Sequence, residues 1–198
     1  MNLDILRKQY HGLLSEGIIP FWMRYGVDRR EGGVLSCMQE DGTPIRSDKY
    51  TWSQGRFVWV LSALYNRFER KPEYLDLARK TIDFLLQHAR DEQGRFVYRT
   101  TREGAHLEGA TSIYADCFVV YGIAEYCRAV RDEALLKTAV EIFERVRRRV
   151  EVPDFNEVAP YALPPDRKLH AVPMILTEVA NELAQTTGDA KIEAAADE

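Results

Sequence analysis

Arg56 is the residue in this chain whose placement asks for an explanation. In residues 49–70, KYTWSQGRFVWVLSALYNRFER, it follows Trp52 by one helical turn. Phe57, Leu61, Leu64 and Phe68 form one apolar stripe there, and Trp59, Val60 and Ala63 form another. A helix apolar nearly all round is buried nearly all round, so this spacing predicts a permanent charge carried into an interior. A guanidinium placed there needs a partner for its rigid fork of donors. Either a neighbouring carboxylate supplies it as a structural ion pair, or a polar ligand does so at the mouth of a helical cavity. Other side chains suited to proton transfer are few. The histidines are His11, His88, His106 and His170, and no two share a helix at ligand spacing. With neither a two-histidine helical motif nor a Cys-x-x-Cys, no metal is expected. Gly32 and Gly33 precede an extended run rather than a helix, so no phosphate-cradling loop is expected either.

Composition excludes several classes. At 198 residues, 45% hydrophobic and 29% charged, the chain is long enough for one substantial core and reads as a single domain, 1–198. A formal charge of −4 and a pI near 5.7 argue against nucleic acid or an anionic membrane as the partner. The one basic run, Arg145 with Arg147, Arg148 and Arg149, falls late in an amphipathic helix, where cations suit the helix dipole and a solvated face is expected. Cys37, Cys117 and Cys127 are odd in number, and two of them lie in an apolar segment, as reduced thiols do. The first residues make an amphipathic helix rather than a secretion signal, and no apolar run reaches membrane-spanning length. A cytoplasmic location is the expectation.

The elements that must position Arg56 alternate between two kinds of helix. Leu3, Leu6, Tyr10, Leu13 and Leu14 predict a first amphipathic helix ending near Gly17, followed by an apolar passage over residues 18–23. A hairpin is expected from residues 34–38 against 44–46, turned by Glu40, Asp41 and Gly42. Arg56 lies on the apolar helix that follows. Pro72 then opens an amphipathic helix with Tyr74, Ala78, Ile82, Leu85 and Ala89 on its inner face. A second hairpin over residues 94–107 leads to another apolar helix, 112–130, and an amphipathic one, 132–150. Tyr65, Arg67, Arg70, Leu75 and Ala78 recur 61 positions later as Tyr126, Arg128, Arg131, Leu136 and Ala139, so one inner and one outer helix form the repeat. After the Pro-rich stretch 153–165, a third apolar helix spans 169–185, and Gly188 and Asp189 turn into a third outer helix. Three such pairs are expected to form part of a ring of helices. Inner-helix side chains such as Phe118, Val119, Ile175 and Val179 would then be left needing cover, and a homodimer or other self-association is the simplest source of it.

The stretch PFWMRYGVDRREGGVLSCMQEDGTPIRSDKYTWSQGRFVWVLSALYNRF, with SIYADCFVVYGIAEYCRA and LHAVPMILTEVANEL after it, resembles the N-terminal half of the N-acylglucosamine 2-epimerase family. That family also contains cellobiose 2-epimerases and aldose-ketose isomerases. The resemblance implies an all-α fold, a partial (α/α)6 barrel of about three inner/outer helix pairs with short β-hairpins in its loops, and a sugar bound in the central cleft. It places Arg56 on the family's active-site arginine and Trp52 on the same wall. Tyr114 matches a substrate-contacting tyrosine. His170 and Met174 fall where cellobiose epimerases carry Asn and His, and Met174 in its Ala171-Val172-Pro173 context resembles the acylglucosamine branch. Each has a plainer alternative, namely a core aromatic for Trp52 and Tyr114 and a helix-terminal or core residue for His170.

The implied chemistry is epimerisation through an enediolate. A proton leaves C2 of an open-chain sugar and returns on the other face, which calls for two acid/base groups near neutrality, histidines by preference, and a cation beside the developing oxyanion. No cofactor is required. The arginine is present; a pair of inner-helix histidines is not evident, so these 198 residues are expected to be inactive alone. Two rival readings stand beside this one. Helical barrels of the same kind host glycoside hydrolases that work with two carboxylates, for which Asp116 and Glu178 are the candidates. A non-catalytic helical binding or scaffold module is the other.

Overall fold

Several helices in the chain start or stop at residues whose local chemistry accounts for it. The computed structural model describes residues 2–153, 155–160, 164 and 167–196. After α1 (Leu3–Gly12) the helical path continues through π turns on either side of α2 (Ile19–Phe21) as far as Gly26. Pro20 has no N–H for the carbonyl one turn back, and the wider turns flank that gap. The apolar passage expected over 18–23 is therefore helical. Four longer helices follow: α3 (Thr51–Arg67), α4 (Pro72–His88), α5 (Ile113–Val130) and α6 (Glu133–Val150). After them come α7 (Ala171–Thr187) and the short α8 (Ala190–Ala194). Pro72 sits in the first turn of α4, where its missing N–H costs nothing. Asp132 caps α6 by accepting a hydrogen bond from Leu135 N at 2.9 Å, and Gly188 ends α7 in the left-handed region at φ 69°.

Helices α3, α5 and α7 pack on one another as an inner layer, and α4, α6 and α8 lie outside them. The core fills the space between the layers. Tyr74, Ala78, Ile82 and Leu85 of α4 and its C-cap Ala89 are all buried there, as are Ala139, Phe143 and Val146 of α6. The fold is a partial (α/α)6 barrel, three inner/outer pairs among the described residues.

A small antiparallel sheet ties the loops together. Its strands are β1 (Lys49–Tyr50), β2 (Arg99–Thr100) and β3 (His106–Glu108), in the order β1-β2-β3. The second expected hairpin supplies β2 and β3. The first is reduced to isolated bridges, Val27 with Val34 and Met38 with Pro44, and its place in the sheet goes to the residues just before α3. This matters because the sheet and its neighbours fix the start of α3. The Thr51 hydroxyl donates to the Val97 carbonyl at 2.5 Å, and Gln54 pairs with both backbone groups of Val34, at 2.7 and 2.9 Å. Lys49 is fully buried. Its ammonium donates to the Gly32 and Arg102 carbonyls at 2.7 and 2.8 Å and lies 3.1 Å from Asp28. Burial alone would raise the Asp28 carboxyl, but hydrogen bonds from Arg102, the Glu31 backbone and Lys49 hold it well below the usual carboxylate range.

Three expectations about burial are corrected. Helix α3 is buried on one face only: Val58, Leu61 and Ser62 are covered, while Arg56 and Val60 are exposed. Phe118, Val119, Ile175 and Val179 are already buried between the inner helices, since neighbouring inner helices cover each other's flanks. Many of the exposed large apolar side chains lie on the first helical run (Leu3, Ile5, Tyr10, Leu13 and Ile18) and on one lip of the inner layer (Val60 and Met174). The basic run is also not simply a solvated face. Arg149 pairs with Asp116 at 2.9 Å and with Glu157, and Arg145 donates to the Gly94 carbonyl at 2.6 Å. No helix among the described residues is long and apolar enough to cross a membrane.

Candidate functional site

The three inner helices place side chains of the same relative spacing around one open cavity of about 720 Å³. On α3 these are Trp52, Arg56 and Trp59, and on α5 they are Tyr114, Phe118 and Tyr121. On α7 they are Ala171, Ile175 and Glu178, with Met174 beside them. Each set runs i, i+4, i+7, one face of a helix over two turns. Two glycines let the first two sets face each other closely. A Cβ on Gly55 would collide with the Phe118 carbonyl, and one on Gly122 with the Gly55 carbonyl.

Arg56 lies over two aromatic faces, with its guanidinium carbon 4.1 Å from the Phe118 ring centre and 4.9 Å from that of Trp52. Among the described residues it has neither an ion-pair nor a hydrogen-bond partner. Part of the side chain reaches solvent, yet desolvation of the guanidinium between the two rings lowers its pKa, with Tyr121 acting in the opposite sense. Such a cation keeps its in-plane donors free for a ligand while the rings hold its faces. Trp52 adds a second free donor, because its Nε1 is buried and without a partner among the described residues. Tyr114 lines the cavity at the N-terminal end of α5, where Ser112 caps the helix by accepting from Tyr114 N at 3.4 Å. Met174, 60% exposed, forms the lip.

The cavity thus brings together Trp52, Arg56, Tyr114 and Met174 of the residues singled out from sequence. His170 is exposed just before α7 and is not among the residues lining it. The carboxylates considered for a hydrolase do not converge. Asp116 is buried away from the cavity, accepting from Phe96 N at 3.3 Å and from Arg149 at 2.9 Å, whereas Glu178 faces it. Trp59 and Tyr121 were missed as site residues. Their signal is the seven-residue spacing from Trp52 and from Tyr114, hidden in segments so rich in aromatics that any one of them reads as core.

At the far end of the inner layer a polar network joins the same helices. Glu125 on α5 is fully buried and accepts from Asn66 at 3.0 Å, Arg67 at 3.0 Å and Arg128 at 2.7 Å. Arg128 and Trp59 donate to Glu182 on α7 at 3.1 and 3.3 Å. Burial, together with the adjacent Glu125 carboxylate, raises the Glu182 pKa. Among the described residues no group of three or more His, Cys, Asp or Glu side chains is placed to hold a metal ion.

The sequence profile of the N-acylglucosamine 2-epimerase (GlcNAc 2-epimerase) family matches residues 32–198. The chain belongs to that family. It is 29% identical to the N-acylglucosamine 2-epimerase of Bos taurus over 174 residues, which is 85% of this chain and 41% of that protein. It is 32% identical to the cellobiose 2-epimerase of Bacteroides fragilis, over 72% of this chain and 37% of that one. Among solved structures, the cellobiose 2-epimerase from Bacillus thermoamylovorans superposes with a TM-score of 0.83 at 17% identity, over 98% of this chain and 54% of its own. The fold is therefore shared with the epimerases, and the chain spans less than half the length of these two sequence relatives.

Proposed function

We propose that the cavity is the sugar-binding wall of a carbohydrate 2-epimerase or isomerase, acting on N-acylglucosamine/N-acylmannosamine or a simple hexose. The observation that carries this reading is Arg56, a cation over the rings of Trp52 and Phe118 in a family member, lining an open cavity with no hydrogen-bond or ion-pair partner among the described residues. Sugars present apolar C–H faces to aromatic rings and oxygens to donors, and this cavity offers both. In the reaction a base removes the proton on C2 of the open-chain aldose and the electron pair moves into C1–C2, leaving negative charge on O1. Return of a proton to the opposite face of C2 gives the epimer. Arg56 beside O1 stabilises that charge, a contribution of a few kcal/mol in comparable sites. Trp52, Tyr114 and Met174 shape the site, and His170, which does not line the cavity, directly precedes Ala171, which does.

The two acid/base groups are not found among the four histidines of these residues, only one of which, His170, belongs to an inner-helix segment. The 198-residue chain therefore binds sugar without turning it over, in the cytoplasm, as an associated species rather than a monomer. The test is to incubate it with N-acetylmannosamine, mannose and cellobiose in deuterated water, following ligand contact by saturation-transfer NMR and exchange at C2. Contact with one of the first two and no exchange is expected. Contact with cellobiose alone reverses the substrate preference, and exchange by a monodisperse monomer overturns the assignment of the chemistry. A glycoside hydrolase is disfavoured because Asp116 is buried in its pair with Arg149 and does not line the cavity, and release of free sugar from cellobiose is the result that would revive it.

A further inference from the structure

Among the described residues lining the cavity there is one anion as well as one cation, and the two lie on different helices. Glu178 of α7 lines it one turn beyond Met174, exposed toward the opening. Tyr121 of α5 donates its phenol proton to Glu178 Oε1 at 3.3 Å. That is a long bond, and it occupies one of roughly four acceptor positions of the carboxylate; Oε2 has no partner among the described residues. Tyr121 itself is not free to turn away. Its ring stacks on Trp59 with centroids 5.1 Å apart and planes 17° from parallel, and meets Phe118 edge-on at 6.3 Å and 88°. Burial, with the negative charges of Glu178 and Glu182 nearby, pushes its pKa up to about 12, so it remains a donor at any physiological pH. Glu178 is thereby held from one side, with its other oxygen unpartnered among the described residues, in a cavity otherwise lined mainly by aromatic and aliphatic groups.

A carboxylate in such a position accepts hydroxyl protons well, since charge-assisted hydrogen bonds are roughly twice as strong as neutral ones. It also repels any ligand group that brings a negative charge to it. We propose that Glu178, positioned by Tyr121, is a specificity-determining residue that binds the hydroxyls of a neutral sugar at the end of the cavity away from Trp52 and rejects sugars bearing phosphate, sulfonate or carboxylate there. This rests on the sugar-site reading above and narrows its substrate class. Arg56 takes the carbonyl end, and Glu178 selects what the remainder of the sugar carries.

The test compares N-acetylmannosamine and mannose with mannose 6-phosphate, by titration calorimetry and saturation-transfer NMR, on the whole 198-residue chain. The unaltered chain binds the neutral sugars and not the phosphate. Glu178→Gln keeps the shape, weakens neutral-sugar binding about tenfold, the loss of one charge-assisted hydrogen bond, and gains binding of the phosphate. Tyr121→Phe loosens Glu178 and lowers the preference for neutral over anionic sugar without abolishing binding, a ratio that a merely structural role would leave unchanged; circular dichroism and the melting temperature confirm that both variants fold. If neutral sugars bind but Glu178→Gln leaves both their affinity and the discrimination unaltered, the inference falls while the sugar-site reading stands. If no sugar contacts the unaltered chain, both fall.

Discussion

Arg56 and Glu182 are both ionisable groups on inner helices, and the fold treats them oppositely. Arg56 is held by ring faces alone, so its value lies in a planar fork with unused donors. Arg56→Lys keeps the charge and removes the fork. Sugar contact in the NMR experiment should drop by about tenfold or more, the cost of one charged hydrogen bond, with little change in melting temperature; undiminished contact would take Arg56 out of the site. Glu182 is instead locked among Trp59, Arg128 and Glu125. Its pKa in the fold is raised above the ordinary 4.5, so the protonated form is favoured there. It contributes stability that is complete below the unfolded value and is lost as pH rises through the raised one. The groups facing it are Glu125 and Arg128 from α5 and Trp59 from α3, with Arg67 reaching it through Glu125. Glu182→Gln can still accept from Arg128 and can donate to Glu125, as the protonated acid does. Melting curves from pH 4 to pH 8 should therefore decline for the native chain and stay flatter for the variant. Parallel curves would show that the proton is not shared in this network.

At the scale of elements, the site depends on how closely α3 and α5 approach. Gly55 and Gly122 occupy that crossing; a methyl group on Gly55 meets the Phe118 and Val119 backbone, and one on Gly122 meets the Gly55 carbonyl and the branched Val58 side chain. Overpacking of this kind costs about 1–3 kcal/mol, which for a chain of this length lowers the melting temperature by roughly 2–4 °C per kcal/mol. Gly55→Ala should show that loss together with weaker sugar contact, because separating the helices moves Phe118 away from Arg56; a loss of neither would mean the layer shifts without strain. The alternation of inner and outer helices was legible in sequence because burial on one face or on most faces leaves different apolar patterns in Tyr74 to Ala89 and in Ile113 to Val130. The glycine crossing was not, since a glycine in a helix signals only an absence. Nor was the true face of α3: aromatics such as Trp52 and Trp59 serve a core and a sugar site equally well, and only the neighbours on α5 and α7 decide between them. The first hairpin was overdrawn for a related reason. Asp-Gly marks a turn, but the sheet edge it would pair with is already taken by residues 49–50 against β2.

For the whole molecule, what is uncovered matters more than what is packed. Helix α1 has no buried residue, and Leu13 and Ile18 beyond it are 53% and 54% exposed. Between this run and α3 lies a second, apolar cavity of about 360 Å³, whose lining includes Leu14, Ile18, Trp22, Phe57, Val60 and Leu64. Val60 is 44% exposed beside it. Covering even ~400 Å² of such surface is worth about 10 kcal/mol, comparable with the ~5–15 kcal/mol net stability of a typical domain. In the solved cellobiose 2-epimerase that superposes on this chain, the matched part is 54% of the whole, so a barrel of that kind has as much chain again with which to close. A second copy of these 198 residues is the nearest substitute in solution. Light scattering should then give a mass near twice 22.8 kDa or larger aggregates, and Val60→Asp together with Leu13→Asp should shift it toward the monomer while leaving the helical content unchanged. Those positions are chosen because neither contributes to the buried core and Leu13 lies outside the sugar cavity. A native chain that is monodisperse at 22.8 kDa would mean that α1 and its neighbours tolerate water unaided. In that case the stability of this chain must come from the core between α3, α5 and α7 and their outer partners alone.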